Sequence, residues 1–221
     1  LRVEDCKGVR QSDYNSMTIQ NPLTPDQAIQ TARRCVSEGR LHDAEAMYRR
    51  IIETEPNVHQ AYHGLAMLAL RFDKLELAAQ LLESSIALDA AIPVYHQDRG
   101  EICRRLGWLD DAIAEGTVAT RLAAEDPDGH YNLGLALADQ RNYAAAVRSY
   151  RRAIELNPTH GKALNNMGSA LEKQGDRAAA LAAYQAAVAI DDRHVEALNN
   201  LGSMLSQNGD IEGARACFER A

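Results

Sequence analysis

From Pro25 onward, apolar and polar positions alternate at the spacing of amphipathic helices, and the whole pattern returns every 34 residues. The run Leu164-Asn165-Asn166-Met167-Gly168-Ser169-Ala170-Leu171 is echoed 34 residues later by Leu198-Asn199-Asn200-Leu201-Gly202-Ser203-Met204-Leu205. The same step backwards reaches His130 to Leu137, then His96 to Cys103, where Gly100 keeps the glycine's place. Two more steps reach Tyr62 to Ala69 and Ala28 to Cys35, in which Ala66 and Ala32 replace it. Units therefore begin at Pro25, His59, Pro93, Pro127, Gly161 and Val195, five whole and the sixth cut short at Ala221.

Each unit divides into two helices. Gly39, Asp73, Gly107, Arg141, Gly175 and Gly209 stand at the divide, and Gln174-Gly175-Asp176 and Asn208-Gly209-Asp210 have the composition of a helix stop followed by a new helix. Pro25, Pro93 and Pro127 open units, whereas Pro56 and Pro158 fall between them, as suits a residue tolerated only in a helix's first turn. Thr24-Pro25-Asp26-Gln27 predicts a capping box at the start of the array. Gly100, Gly134, Gly168 and Gly202 lie inside helices, where each costs about 1 kcal/mol relative to alanine. The pattern predicts that the first helix of each pair approaches the second closely, opposite the small residues Ala44, Ala78, Ala112, Ala146, Ala180 and Ala214. Four residues on, Tyr48, Leu82, Tyr150, Tyr184 and Phe218 supply bulk to close the hairpin, while Ala119, Ala153, Ala187 and Ala221 face the next unit.

The 34-residue period, Leu-Gly in the first helix, and then Ala, an aromatic, Ala and Pro resemble the tetratricopeptide repeat (TPR) family over residues 25–221. The resemblance implies an all-α fold, a right-handed superhelix of about six helical hairpins, with a concave groove lined mainly by the first helices. A single hairpin cannot bury its apolar face, so stacking is also the physical expectation. Residues 1–24 are expected to be a leader outside the array, and residues 1–16, which precede Met17-Thr18-Ile19-Gln20, an artefact of the gene start.

Composition narrows the functional classes. The net charge is −7, from 24 basic and 31 acidic residues, and no basic stripe offers a footprint for nucleic acid. Paired arginines such as Arg104-Arg105 and Arg151-Arg152 interrupt patterns that also carry acids, as on a solvated outer face. No apolar run approaches the roughly 20 residues of a membrane span. Cys6, Cys35, Cys103 and Cys217 show neither CxxC nor zinc spacing, which predicts reduced, mostly buried thiols and a cytoplasmic location. The histidines follow the repeat (His96 with His130, His160 with His194), a placement by duplication rather than by assembly of a reaction centre. With no HExxH, triad or phosphate loop, the segment is expected to carry no catalysis, metal or cofactor.

A binding groove remains. Asn132, Asn166 and Asn200 recur one per unit, flanked by Asn165 and Asn199, and an amide both donates and accepts, so a row of them can hold an extended peptide backbone. The row resembles the asparagine ladder in the TPR superhelix of O-linked N-acetylglucosamine transferase, which implies that these residues anchor polypeptide. It breaks down in the first three units, where Gln30, Gly64 and Asp98 take the equivalent places, and a solvated polar strip inherited by duplication accounts for it equally well. Tyr131 and Lys162 lie on the same groove, but the lysine and asparagine pairs of a carboxylate clamp are missing. The third unit departs most: Arg99 stands where Leu or Met is usual, and Gly116 where others have a ring or Leu. The arginine stem is expected to fill the space the ring vacates; alternatively Gln97, Asp98, Arg99 and Glu101 form a charged specificity patch. The expected function is a scaffold that binds a protein or peptide in the groove, with self-association through the uncapped C-terminal end as a second mode. The alternative is the N-terminal substrate-recruiting arm of a larger enzyme such as a glycosyltransferase.

Overall fold

The computed structural model describes residues 23–221; the leader up to residue 22, including Cys6 and Met17, lies outside the described residues. Twelve helices form six antiparallel pairs: α1 (Pro25–Ser37) with α2 (Leu41–Thr54), α3 (His59–Arg71) with α4 (Leu75–Leu88), and α5 (Pro93–Arg105) with α6 (Leu109–Leu122). Then come α7 (Pro127–Asp139) with α8 (Tyr143–Leu156), α9 (Gly161–Gln174) with α10 (Arg177–Ile190), and α11 (Val195–Gln207) with α12 (Ile211–Arg220). Every unit boundary read from the period is the first residue of a first helix. The capping box forms as well: Thr24 Oγ1 accepts from Gln27 N at 3.3 Å, and Thr24 N donates to Gln27 Oε1 at 3.0 Å.

All six residues at the divides take left-handed backbone angles, and two of them are not glycine. Asp73 has φ 55° and Arg141 φ 64°. The period carries enough packing on both sides to hold these two in a region that L-residues avoid. Beyond the turn, Asn142, Asp176 and Asp210 cap α8, α10 and α12 by accepting from backbone N–H groups at 3.3, 3.1 and 2.9 Å. Arg40, Lys74 and Trp108 hold the same place before α2, α4 and α6 and make no side-chain cap.

The first-helix glycines have a sharper reason than backbone approach alone. A methyl group added at Gly134, Gly168 or Gly202 would stand 2.5, 2.7 or 2.8 Å from ring carbons of Tyr150, Tyr184 or Phe218. The ring that closes the hairpin thus lies flat on the glycine of its own unit. Ala32 denies Tyr48 that seat in the first unit, and the ring instead covers Gly64 on α3 of the second. Tyr150 and Tyr184 are almost wholly buried, and burial pushes both hydroxyls well above the usual phenol range.

Histidines close the connections between units in two ways. His96 and His130 reach back six residues to the carbonyls of Ala90 and Ala124, at 3.0 and 2.9 Å. His160 and His194 sit one residue before a first helix and accept through Nδ1 from Ala163 N and Ala197 N, at 3.2 and 3.4 Å. One imidazole therefore orders each of the last four connections.

Candidate functional site: a groove along the first helices

Four of the five successive pairs of first helices come close together: α1 with α3, α5 with α7, α7 with α9 and α9 with α11. Successive second helices do not come as close among the described residues. The first helices accordingly lie on the inner side of the curve, as expected for stacked hairpins.

In the last three units this inner side carries an amide relay. Asn200 Nδ2 donates to Asn165 Oδ1 at 2.9 Å, Asn165 Nδ2 to Asn166 Oδ1 at 3.4 Å, and Asn166 Nδ2 to the Tyr131 hydroxyl at 3.1 Å. Asn165 is buried, Asn166 and Asn200 are half-buried, and Asn199 is exposed. The Tyr131 ring stands 4.8 Å from the ring of His160 and 6.0 Å from that of Tyr150, and its burial raises the hydroxyl's pKa. Asn132 is half-buried one unit earlier and has no hydrogen bond from its amide among the described residues; Lys162 is exposed. Period alone picks out the asparagines as a recurring set. It did not signal that they bond to one another across units, 35 residues apart.

The second and third units line the same side with charge. His63 Nε2 meets Asp98 Oδ2 at 2.7 Å, again a link of 35 residues. Arg99 pairs with Glu115 on α6, whose other oxygen lies 2.6 Å from His96 Nδ1. His96 Nε2 faces the Ala90 carbonyl at 3.0 Å, so both nitrogens of this buried ring have partners. Glu101 takes Arg104 Nε and Nη2 at 2.8 and 2.9 Å, and Arg104 Nη1 continues to Asp139 in the next unit at 2.8 Å. Those carboxylates raise the arginine's pKa, the Glu101 hydrogen bond most. Gln97 bonds to Asp126, the N-cap of α7. All four residues of the sequence-derived patch are thus engaged with neighbours. The space opposite Gly116 is taken by Leu133 of the next unit, whose side chain lies 3.2 Å from where a methyl would stand. A small cleft remains between Gln97, Gly100, Glu101, Gly116, Gly129 and Asn132, with room for about one water molecule.

No group of His, Cys, Asp and Glu that could hold a metal ion occurs among the described residues, and none of their helices is long and apolar enough to cross a membrane. Cys35, Cys103 and Cys217 are buried free thiols, and burial pushes Cys103 up to about 11.

A family model described as tetratricopeptide repeat matches residues 127–160, and a second of the same description matches residues 30–93 and 165–221. The chain belongs to the tetratricopeptide repeat family. Tetratricopeptide repeat protein 8 of Caenorhabditis elegans is 26% identical over 133 residues, which make up 58% of this chain and 26% of that protein, so the chain spans about a quarter of its relative. Among solved structures, YrrB, described as a TPR protein with an unusual peptide-binding site, superposes with a TM-score of 0.75 at 20% identity, covering 84% of this chain and 95% of YrrB. A tetratricopeptide repeat protein from Parabacteroides merdae gives 0.75 at 17% identity, with 89% and 78% covered. MamA from Desulfovibrio magneticus gives 0.68 at 20% identity, with 73% and 92% covered. At these identities the likeness is one of fold.

Proposed function

We propose that the inner groove of units four to six binds an extended stretch of polypeptide by its main chain. The observation that carries this reading is the unspent capacity of the amide relay. Each carboxamide offers two donors and an oxygen with two lone pairs; the relay uses only one N–H each from the half-buried Asn166 and Asn200, with the buried Asn165 as their link. Asn132 at one end and the exposed Asn199 at the other extend the strip. The relay fixes the orientation of the amides, which lowers the ordering cost when a peptide arrives. YrrB, a structural neighbour, is described as having a peptide-binding site, which fits this reading.

Peptides selected on the immobilised array by display test it. Binding of the selected peptides should weaken at least about ten-fold, or 1.4 kcal/mol, when Asn132 and Asn199 are both replaced by alanine, since neither belongs to the relay. N-methylation of the peptide's central amides should weaken it similarly. Retained affinity in both cases would sink the groove reading.

The three buried thiols fit a reducing compartment such as the cytoplasm.

A further inference from the structure

The apolar interior is not continuous along the array. Units four to six share one cluster running from Leu137 through Tyr150, Leu171, Tyr184 and Leu198 to Cys217. Ile29, Tyr48, Leu65 and their neighbours join units one and two, and Leu82, Tyr95 and Ile102 belong to a cluster joining units two and three. Between units three and four, the fully buried apolar residues are the small Cys103, Ala112 and Ala136; half-buried Ile113 packs on both these and the large cluster, and half-buried Leu133 lies over Gly116.

Polar links cross that junction instead. Arg104 reaches Asp139, Gln97 reaches Asp126, and Gln140 Nε2 donates to Asp110 Oδ1 at 2.6 Å. The groove link of 35 residues, present as His63–Asp98, Tyr131–Asn166 and Asn165–Asn200, is missing here: Gln97 and Asn132 hold its places and are not bonded to each other. The helices nevertheless run close, because Gly116, Ala112 and Ala136 let α7 lie against α5 and α6. Leu133 over Gly116 is the one large side chain among small ones here, and a contact with few interlocking knobs resists sliding less than a fully interdigitated one.

We infer that the chain is built as two bodies, units one to three and units four to six, which move against each other at the junction of α5 and α6 with α7. Stability in a stacked array is a sum of unit terms and nearest-neighbour interfaces, so the interface whose fully buried apolar residues are fewest and smallest is where the array gives first. Arg104 is the principal latch: Glu101 grips it from one body and Asp139 from the other. The Arg104 and Asp139 side chains are 24% and 45% exposed, so added salt weakens their attraction. The amide relay lies wholly within the second body, and the His63–Asp98 and Arg99–Glu115 pairs wholly within the first.

Exposed positions recurring on the second helices make the test direct: Ala46, Gln80, Ala114, Arg148, Ala182 and Ala216 occupy the same place in successive units. Spin labels attached through azide-bearing residues, which leave the native cysteines untouched, are placed in pairs two units apart. Pairs 80/148 and 114/182 span the junction; pairs 46/114 and 148/216 lie within one body. At 1 M salt, where the screening length falls to about 3 Å, the distance distributions of the spanning pairs should roughly double in width while those within a body hold. Arg104→Gln should broaden the spanning pairs at low salt, with helical content unchanged by circular dichroism. Equal widths for all four pairs under both treatments, or broadening within the bodies as large as across the junction, would overturn the two-body reading.

Discussion

Units three and five fold into the same hairpin by different means. Both keep the glycine in the first helix, at Gly100 and Gly168. In unit five a buried ring, Tyr184, lies on that glycine, and Asp176 caps the second helix. In unit three the ring is Gly116, the cap is Trp108, and the hairpin is tied across by Arg99, Glu115 and His96. One unit rests on apolar volume and the other on paired charge. Burying paired charge contributes little net stability, because desolvation offsets most of the attraction. The third unit therefore holds its shape without adding much to the array, and the apolar core is thinnest where it meets the fourth. A repeat can keep its geometry after its energetic content has been exchanged.

The comparison breaks first, and hardest, at the ring. Tyr184→Ala removes a nearly fully buried side chain from the large cluster of units four to six and should cost about 3–5 kcal/mol in urea unfolding. No residue of unit three has an equivalent ring to lose. A cost below about 1 kcal/mol would show that the two units do not differ in the way proposed.

Alkali probes the other side. The Cys103 thiol sits in the thin contact between units three and four, and burial pushes its pKa from 9.0 to about 11. The folded state therefore holds this proton more tightly than the unfolded state. The associated stability is present in full below pH 9.0 and is lost as the pH rises towards about 11. The loss should reach about 2–3 kcal/mol, and Cys103→Ala should remove that limb of the pH profile. An unchanged profile in the variant would place the alkaline loss elsewhere, for example at Tyr150 or Tyr184, whose hydroxyls are also raised by burial.

Gly168→Ala follows, at about 2 kcal/mol, since its methyl would meet a ring that is itself walled in. Pairing it with Tyr184→Leu should recover part of the loss, because a smaller side chain no longer lies flat on the backbone. A strictly additive double variant would mean that the methyl is resisted by something other than the ring.

The unit boundaries, the six divides and the capping box were all legible in the sequence, because a strict period makes each unit a witness for the others. Asp73 and Arg141 would not be chosen for left-handed backbone on their own, yet their register with four glycines assigns it. Contacts between units were far less visible. Tyr48 turns to Gly64 because Ala32 blocks its own seat, and Leu133 fills the space at Gly116 that the sequence offered to Arg99. The relay through Asn165 depends on the rotation between successive first helices, a quantity no single unit encodes. The charged residues of unit three looked like a patch awaiting a ligand because sequence shows charges but not their partners.

Caps offer the next smaller test. Asp176→Ala should cost about 1 kcal/mol, and Trp108→Asp should gain a similar amount by giving α6 the cap that α8, α10 and α12 already have. No gain at position 108 would mean that the indole contributes packing worth as much as the missing cap.

Smallest in size, and most direct as a contrast, is Gly100→Ala. A methyl at this position would lie 3.4 Å from the Ala112 carbonyl oxygen and 3.5 Å from Glu115 Cβ, both ordinary contacts. The helix then gains alanine's lower conformational cost, about 0.5–1 kcal/mol, with nothing displaced. The same substitution should therefore stabilise unit three and destabilise unit five, although the glycines align in sequence and sit at equivalent places in α5 and α9. The sign is set by what faces them: a ring over Gly168, and over Gly100 the backbone of α6, left open where the ring was lost. If Gly100→Ala is as costly as Gly168→Ala in denaturant unfolding, α5 and α6 leave no room for the methyl, and the contrast between the two units falls.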